Sequence, residues 1–273
     1  MKDTDCIAFL QWALPRLNLR WPGYRKVRRQ VCRRLARRLS DLRLLDLAAY
    51  RQRLEADPAE WRALDECCHI TISRFFRDRG VFEVLRARVL PEIAVRAARE
   101  RRDARAWSAG CASGEEPYTL KILWDLEIAR SHPGIFLSLT ATDIDANMLA
   151  RAHEGCFAAT SVHELPPLLM EQAFDQADDR YCVKPRFREG INFVLQDLRS
   201  QTPTGSFDLV LCRYLAFTYF AQSLQQETLA RILAQLSPNG YLVVGSHERL
   251  PARDAGLTPL IGVPQICQKT AGL

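Results

Sequence analysis

Two glutamates that follow a run of small residues carry the first chemical signal in this chain. Gly110-Cys111-Ala112-Ser113-Gly114 stands directly before Glu115-Glu116, between the strand-like run Ala106-Trp107-Ser108-Ala109 and a helix-like stretch. Small residues let a backbone approach a ligand closely, and a helix start offers N–H groups without partners. The spacing is neither the GxGxxG of dinucleotide binders nor the GxxxxGK[ST] of phosphate loops, and two carboxylates at this point repel phosphate. A cationic, phosphate-free ligand suits them better, and S-adenosylmethionine, with its sulfonium and ammonium groups, is one. A plain strand-to-helix turn accounts equally well for the run taken by itself.

Further candidates recur at the ends of later apolar runs. Asp143, in Thr142-Asp143-Ile144-Asp145, is an acidic side chain placed to accept hydrogen bonds from ribose hydroxyls, whereas Asp145 reads as the N-cap of the next helix. Asp197 follows a third run, within reach of an adenine. Cys212-Arg213-Tyr214 closes a fourth, with Tyr219-Phe220 just beyond. Each alone is an ordinary structural residue. Together, at successive strand ends, they describe a nucleoside-binding methyltransferase sheet. A last candidate, Ile70-Thr71-Ile72-Ser73-Arg74-Phe75-Phe76-Arg77-Asp78, lies earlier; paired phenylalanines are ordinarily core, and an adjacent arginine ordinarily faces water.

The elements that must position these residues follow from the texture of the chain. After Arg105, short apolar runs alternate with helical stretches (135–142, 192–195, 207–212, 241–245), the pattern of an α/β fold: an open, mostly parallel sheet covered on both faces, with its ligand at the carboxyl ends of the strands. Before it the periodicity is helical: Val27, Val31, Leu35 and Leu39 recur every four residues, as do Leu44, Leu47 and Tyr50. Helical spacing continues from Val81 to Arg102, with Pro91 predicted to break or kink it. The expected organisation is a helical N-terminal domain (1–88), a linker helix (89–104) and a ligand-binding domain (105–273) with a small insertion at about 157–190.

Composition narrows the class. Of 273 residues 48% are hydrophobic and 26% charged, which excludes a disordered or collagenous chain. The formal charge of +6 divides into +11 up to Arg105 and −5 beyond it. From Arg16 to Arg38 ten basic residues occur with no acidic one, and with the valine and leucine stripe buried most of them are expected on the solvent face of a single helix. Unmixed charge repels itself at i,i+4, so an acidic partner is implied. Nucleic acid is the competing partner, ranked lower because no DNA- or RNA-binding motif accompanies the charge. The nine cysteines, odd in number and without a CxxC pair, predict neither a disulfide framework nor a zinc site, and no histidine spacing calls for metal. With no signal-like N-terminus and no apolar run approaching 18 residues, a cytoplasmic protein without membrane insertion is expected.

These residues also resemble a known family. Ser73-Arg74-Phe75-Phe76-Arg77-Asp78, the block from Trp107 to Tyr118 with its paired glutamates, Ala141-Thr142-Asp143-Ile144-Asp145, Phe207 to Arg213, Leu236 to Tyr241 and Gly245-Ser246-His247-Glu248 together resemble the CheR-type chemotaxis-receptor glutamate methyltransferases. The resemblance implies a Rossmann-like class I methyltransferase sheet with a small all-helical N-terminal domain. It implies S-adenosylmethionine as cofactor, touched by Thr71, Ser73, Arg77, Gly110, Gly114, Glu115, Glu116, Asp143, Asp197, Leu198, Arg213 and Tyr214. Arg77 and Tyr219 are implied near the transferred methyl, with Arg77 orienting an acceptor carboxylate that is already nucleophilic at neutral pH. The basic segment Arg25 to Arg38 would dock on the acidic helical bundle of a chemoreceptor-like protein. Four features depart from the family: Tyr214 replaces a usual asparagine, one extra residue separates it from Tyr219-Phe220, Ile70-Thr71-Ile72-Ser73 replaces Thr-Asn-x-Thr, and Ser246-His247 reverses the usual order. They surround the acceptor side of the pocket, so methylation of a small molecule or other acceptor, or a non-catalytic S-adenosylmethionine sensor, stand as alternatives.

Overall fold

The computed structural model describes residues 2–251 and 256–270. They divide into two compact units, one of residues 2–70 with 218–225, the other of residues 71–217 with 226–270.

The first unit is helical, built on Asp3–Ala13, Arg28–Asp41, Leu47–Ala56 and Glu60–Cys68. Val31, Leu35 and Leu39 share one buried face, joined in the core by Phe9, Leu10, Tyr50 and Leu54. The basic segment is less uniform than its sequence predicts. Arg16, Arg20, Arg25 and Lys26 precede the helix that begins at Arg28, and half of the six cations on that helix are spent inside the unit. Arg28 pairs with Asp3 at 2.9 Å, Arg34 donates to the carbonyls of Cys67 and His69, and Arg38 grips the buried Glu60 through two bonds of 2.8 and 2.6 Å. That grip holds the Glu60 carboxyl below its ordinary value despite burial. The reason is local: a bundle this small cannot bury Glu60 without a counterion. Arg25, Lys26, Arg29, Arg33 and Arg37 are exposed and form no ion pair among the described residues. Residues 218–225 complete the unit: Leu19 and Phe220 form an antiparallel bridge, Arg20 N donates to Tyr219 O at 2.8 Å, and Ala221 N to Asn18 O at 2.7 Å. A Cβ on Gly23 would lie 2.3 Å from the Thr218 carbonyl oxygen, so only glycine permits this approach.

The second unit is organised by a sheet of seven strands among the described residues. In chain order the strands of the unit are β1 (Ala104–Ala109), β2 (Leu137–Asp143), β3 (Cys156–Ala158), β4 (Phe174–Ala177), β5 (Arg180–Val183), β6 (Ile191–Leu195), β7 (Phe207–Leu211), β8 (Leu236–Val243), β9 (Leu257–Leu260) and β10 (Val263–Lys269). The main sheet runs β6-β2-β1-β7-β8-β10-β9, parallel except for β10, which is antiparallel to both its neighbours. This is the Rossmann-like sheet expected from the sequence. Strand order reverses between β1 and β7, and every residue of β7 is buried, as a central strand covered on both faces requires. The β9–β10 hairpin is absent from the sequence expectation, because Pro259, Pro264, Gln265 and Gln268 dilute its alternation.

Ahead of β1 the helix runs from Arg79 to Arg99 through a π-helical turn at Leu85–Val89. Pro91 does not break it: proline lacks an N–H and crowds the preceding turn, and the wider π turn just before it takes up the mismatch. The end of this helix is tied to the sheet by the fully buried Asp208 of β7, which accepts from Arg96 at 3.0 Å, from Arg102 at 2.7 and 2.8 Å and from Arg105 N at 3.1 Å.

The insertion expected near 157–190 is a three-stranded antiparallel sheet, β3-β5-β4, carrying two short helices. It also corrects the cysteine reading. Cys156 and Cys182 are direct cross-strand partners on β3 and β5 and are disulfide-bonded, as are Cys6 and Cys32 on facing helices of the first unit. Spacing along the chain concealed both pairs, since each joins residues 26 apart that only the fold brings together. In the chain-entropy account a loop of this size contributes about 3–4 kcal/mol. Cys67, Cys68, Cys111, Cys212 and Cys267 lie outside both disulfides.

Candidate active site

The strand ends on either side of the β1/β7 reversal bring the sequence candidates together. Gly110 and Gly114 both have positive φ, +78° and +93°, so the chain after β1 folds tightly before the helix Glu115–Leu123 begins. Gly110 N and Cys111 N donate to the Thr142 carbonyl at 2.8 and 3.0 Å. Asp143, at the end of β2, fixes the loop from the other side: one carboxylate oxygen accepts from Ala112 N at 2.8 Å, the other from Asp145 N at 2.9 Å. Asp145 caps the helix Ala146–Glu154 through Asn147 N and Met148 N, as its position suggested. Asp197 lies beyond β6, bonded to Arg199 N and ion-paired with the Arg199 guanidinium at 2.9 Å, and Leu198 is buried beside it.

The two glutamates have different surroundings. Glu115 is buried and accepts from Ser113 Oγ at 2.9 and 3.0 Å and from the Ser73 hydroxyl. Burial pushes its carboxyl above the ordinary range, and these hydrogen bonds only partly oppose it. Glu116 accepts from Ser108 Oγ at 2.7 Å and pairs with Arg213 at 2.9 Å.

Arg213 is the centre of a second cluster, assembled from four segments far apart in the chain. Its guanidinium also pairs with Asp78 at 2.8 Å and donates to the Arg77 carbonyl at 2.6 Å. Tyr214 donates its hydroxyl to Asp78, exchanges a 2.7 Å bond with Ser246 Oγ, and has its backbone N–H held by Glu248 at 2.8 Å. The same Glu248 oxygen accepts from Gly245 N at 2.7 Å. A Cβ on Gly245 would meet the Tyr214 ring at 2.7 Å, so glycine there is what admits the tyrosine. Burial would raise the Asp78 carboxyl, but the Tyr214 hydroxyl and the Arg213 guanidinium outweigh it and hold it below its ordinary 3.8. Phe76, Asp78, Ala112 and Tyr214 all have positive φ, between 47° and 63°. Side chains other than glycine avoid that region, and such residues concentrate where a site over-determines its backbone.

Arg77 differs from its neighbour. One Nη donates to the Ile72 carbonyl at 2.6 Å, and its guanidinium lies 3.7 Å over the centroid of the Tyr214 ring. Among the described residues no carboxylate pairs with it. The phenylalanines before it are core, as composition suggested: Phe75 is fully buried and packs edge-on against Phe157 of β3 and Phe174 of β4. Thr71 and Ser73 lie half-buried in the same segment. Tyr219 belongs to the first unit, where it packs on Tyr24 with ring centroids 5.0 Å apart.

The family described as CheR methyltransferase, SAM binding domain, matches residues 71–264. The chain belongs to this family. It is similar to an "uncharacterized 104.1 kDa protein in hypE 3'region" of Rhodobacter capsulatus (33% identity, 81% of this chain, 23% of that one). It is also similar to chemotaxis protein methyltransferase 1 of Pseudomonas aeruginosa (36%, 64% and 65%) and to a probable chemotaxis protein methyltransferase of Rhizobium etli (31%, 85% and 89%). The chain thus spans about a quarter of the first relative and two thirds of the second.

S-adenosylmethionine is the cofactor of a CheR domain, and the residues present fit it. The carboxylates of Glu115, Asp143 and Asp197 follow the ends of three strands, acceptors of the kind that a cationic nucleoside with free hydroxyls requires. Gln196 Oε1, in the turn between β6 and Asp197, is buried with no partner among the described residues, an acceptor left for a donor that the protein does not supply. Four residues gathered here went unnamed among the candidates. Asp78, Ser246 and Glu248 stood inside the quoted motifs, but nothing in the sequence said that they converge, and Gln196 gave no signal at all.

Proposed function

We propose that this chain is an S-adenosylmethionine-dependent methyltransferase of chemotaxis signalling that esterifies glutamate side chains of a chemoreceptor-like protein in the cytoplasm. One observation carries the reading: in a family of S-adenosylmethionine-binding domains, Arg77 is a guanidinium held by a carbonyl and an aromatic ring and without a carboxylate partner among the described residues. When bound, the cofactor supplies an electrophilic methyl group on a sulfonium. Glu115 holds its cationic groups, Asp143 its ribose and Asp197 its adenine, with Thr71, Ser73, Gly110, Gly114, Glu116, Leu198 and Arg213 shaping the pocket. Arg77 takes one oxygen of the acceptor carboxylate and leaves the other free; the acceptor-side role of Tyr219 rests on the family resemblance alone. No general base is required, because a glutamate carboxylate is ionised at neutral pH.

In this reading the helices of the first unit dock the substrate, their boundary falling at residue 70 and not at the expected 88 because the helix from Arg79 to Arg99 belongs to the second unit, which with its insertion transfers the methyl. The exposed cations Arg25, Lys26, Arg29, Arg33 and Arg37 meet the acidic helical partner. Incubation with methyl-labelled cofactor and a host lysate tests the whole. Label on protein, released as methanol by mild alkali and lost with Arg77→Ala, is the expected result. Label that survives alkali excludes an ester, label on small molecules moves the acceptor, and cofactor binding without transfer leaves a sensor.

A further inference from the structure

We propose that Tyr214 is a positioning residue for Arg77, a platform that fixes the guanidinium in the orientation needed for an acceptor carboxylate. The inference rests on the role just given to Arg77. Three observations carry it. The Arg77 guanidinium carbon lies 3.7 Å above the centre of the Tyr214 ring, within the distance at which a cation is attracted to the face of an aromatic ring. The ring itself is held from three directions: by Asp78 and Ser246 at its hydroxyl, and by Glu248 at its backbone N–H. Its backbone sits at φ +56°, a conformation kept only where surroundings impose it.

An arginine side chain has four flexible torsions, and a carboxylate that must hold it still does so by consuming its donors. Arg213 is such a case, with its fork filled by Asp78, Glu116 and a carbonyl. Arg77 is immobilised differently, through the face of the guanidinium and one Nη, so the remaining donors in the plane stay available. A stacked aromatic ring is the means of holding an arginine without neutralising it. Tyr214 therefore serves the acceptor and not the cofactor, and its place at a position where asparagine is usual in the family marks a different way of aiming the same guanidinium.

The test compares Tyr214→Leu, which removes the ring, with Tyr214→Phe, which keeps it. Tyr214→Leu is expected to lower kcat about 10- to 100-fold while cofactor affinity, measured by calorimetry without acceptor, stays within about threefold; Tyr214→Phe is expected to retain at least about a third of kcat. A cofactor affinity lowered tenfold or more with kcat unchanged would overturn the proposal, as would equal losses in the two variants. Folding of each variant is followed by circular dichroism. A second readout needs no turnover: in a spectrum of arginine Nε–Hε groups, the resonance lost in Arg77→Lys should be displaced upfield by the ring, remain so in Tyr214→Phe, and return to the random-coil position in Tyr214→Leu. An undisplaced resonance in the unmodified chain contradicts the stacking. A displaced resonance in a chain that methylates nothing upholds the platform and overturns the methyltransferase reading instead.

Discussion

The β1–β2 edge and the Arg213 cluster hold their acids in opposite ways. At the first, Asp143 is fixed by backbone N–H groups of Ala112 and Asp145, and its neighbours are glycines and small residues. At the second, Asp78 and Glu116 are fixed by one buried guanidinium, with a tyrosine hydroxyl completing the set. Backbone donors leave a carboxylate its charge while directing it. A guanidinium removes the charge and welds together the segments that carry it. The first arrangement is suited to meeting a cationic ligand, the second to keeping the walls of the site in place.

The sharpest way to break this contrast is to remove the weld. Arg213→Met leaves Asp78 and Glu116 without their shared counterion and should destabilise the folded chain by about 3–5 kcal/mol in urea titration. A loss below about 1 kcal/mol would mean that the cluster holds nothing together. Acid lability is also expected, from this cluster and from the separate tie at Asp208. Because the Asp78 and Asp208 carboxyls are held below 3.8 when folded, they stabilise the fold above that pH, and the contribution disappears as pH falls through their depressed values.

Asp143→Asn should have a smaller effect on stability, about 1–3 kcal/mol, since an amide retains one acceptor oxygen but turns an NH₂ toward a backbone N–H. If Arg213→Met and Asp143→Asn were equal in urea, the division between fixing and binding would fail.

The two regions were unequally legible in the sequence. Strand-end loops announce themselves locally, because a glycine-rich turn, an acidic residue after an apolar run and an N-cap such as Asp145 are written in consecutive residues. The Arg213 cluster joins residues from 77 to 248, and its members lie within motifs whose individual meaning is bland; only the fold makes Gly245 the space for Tyr214. The disulfides escaped for the same reason, and the basic segment was overread because the sequence does not reveal that Arg38 is committed to Glu60. The expectation of alternating strands and helices succeeded because β7 and its neighbours are continuous apolar runs, whereas β9 and β10 are not.

Next in size is a pH effect at Glu115. Its folded value lies above the ordinary 4.5, so ionisation disfavours the folded state as pH rises from 4.5 through the raised value, and a bound cation offsets that penalty. Affinity for S-adenosylmethionine should therefore increase with pH across this window, by at most about tenfold per pH unit. Glu115→Gln should flatten the profile, and a profile unchanged by the substitution separates Glu115 from the cofactor. The smallest effect is expected at Asp197, whose pair with Arg199 is partly exposed: Asp197→Asn should alter stability by less than about 1 kcal/mol.

The return of residues 218–225 to the N-terminal helices sets an order of events during synthesis. Those helices leave the ribosome first, but the strand-like partner of Leu19 and the ring that covers Tyr24 are encoded about 200 residues later, after β1 to β7 have been made. The helical unit is thus completed only after β7 has been made, and until then its apolar edge waits uncovered. Removing the N-terminal helices to isolate the sheet would leave Phe220 and Leu224 in the same condition, so the two units are separable as shapes but not as segments.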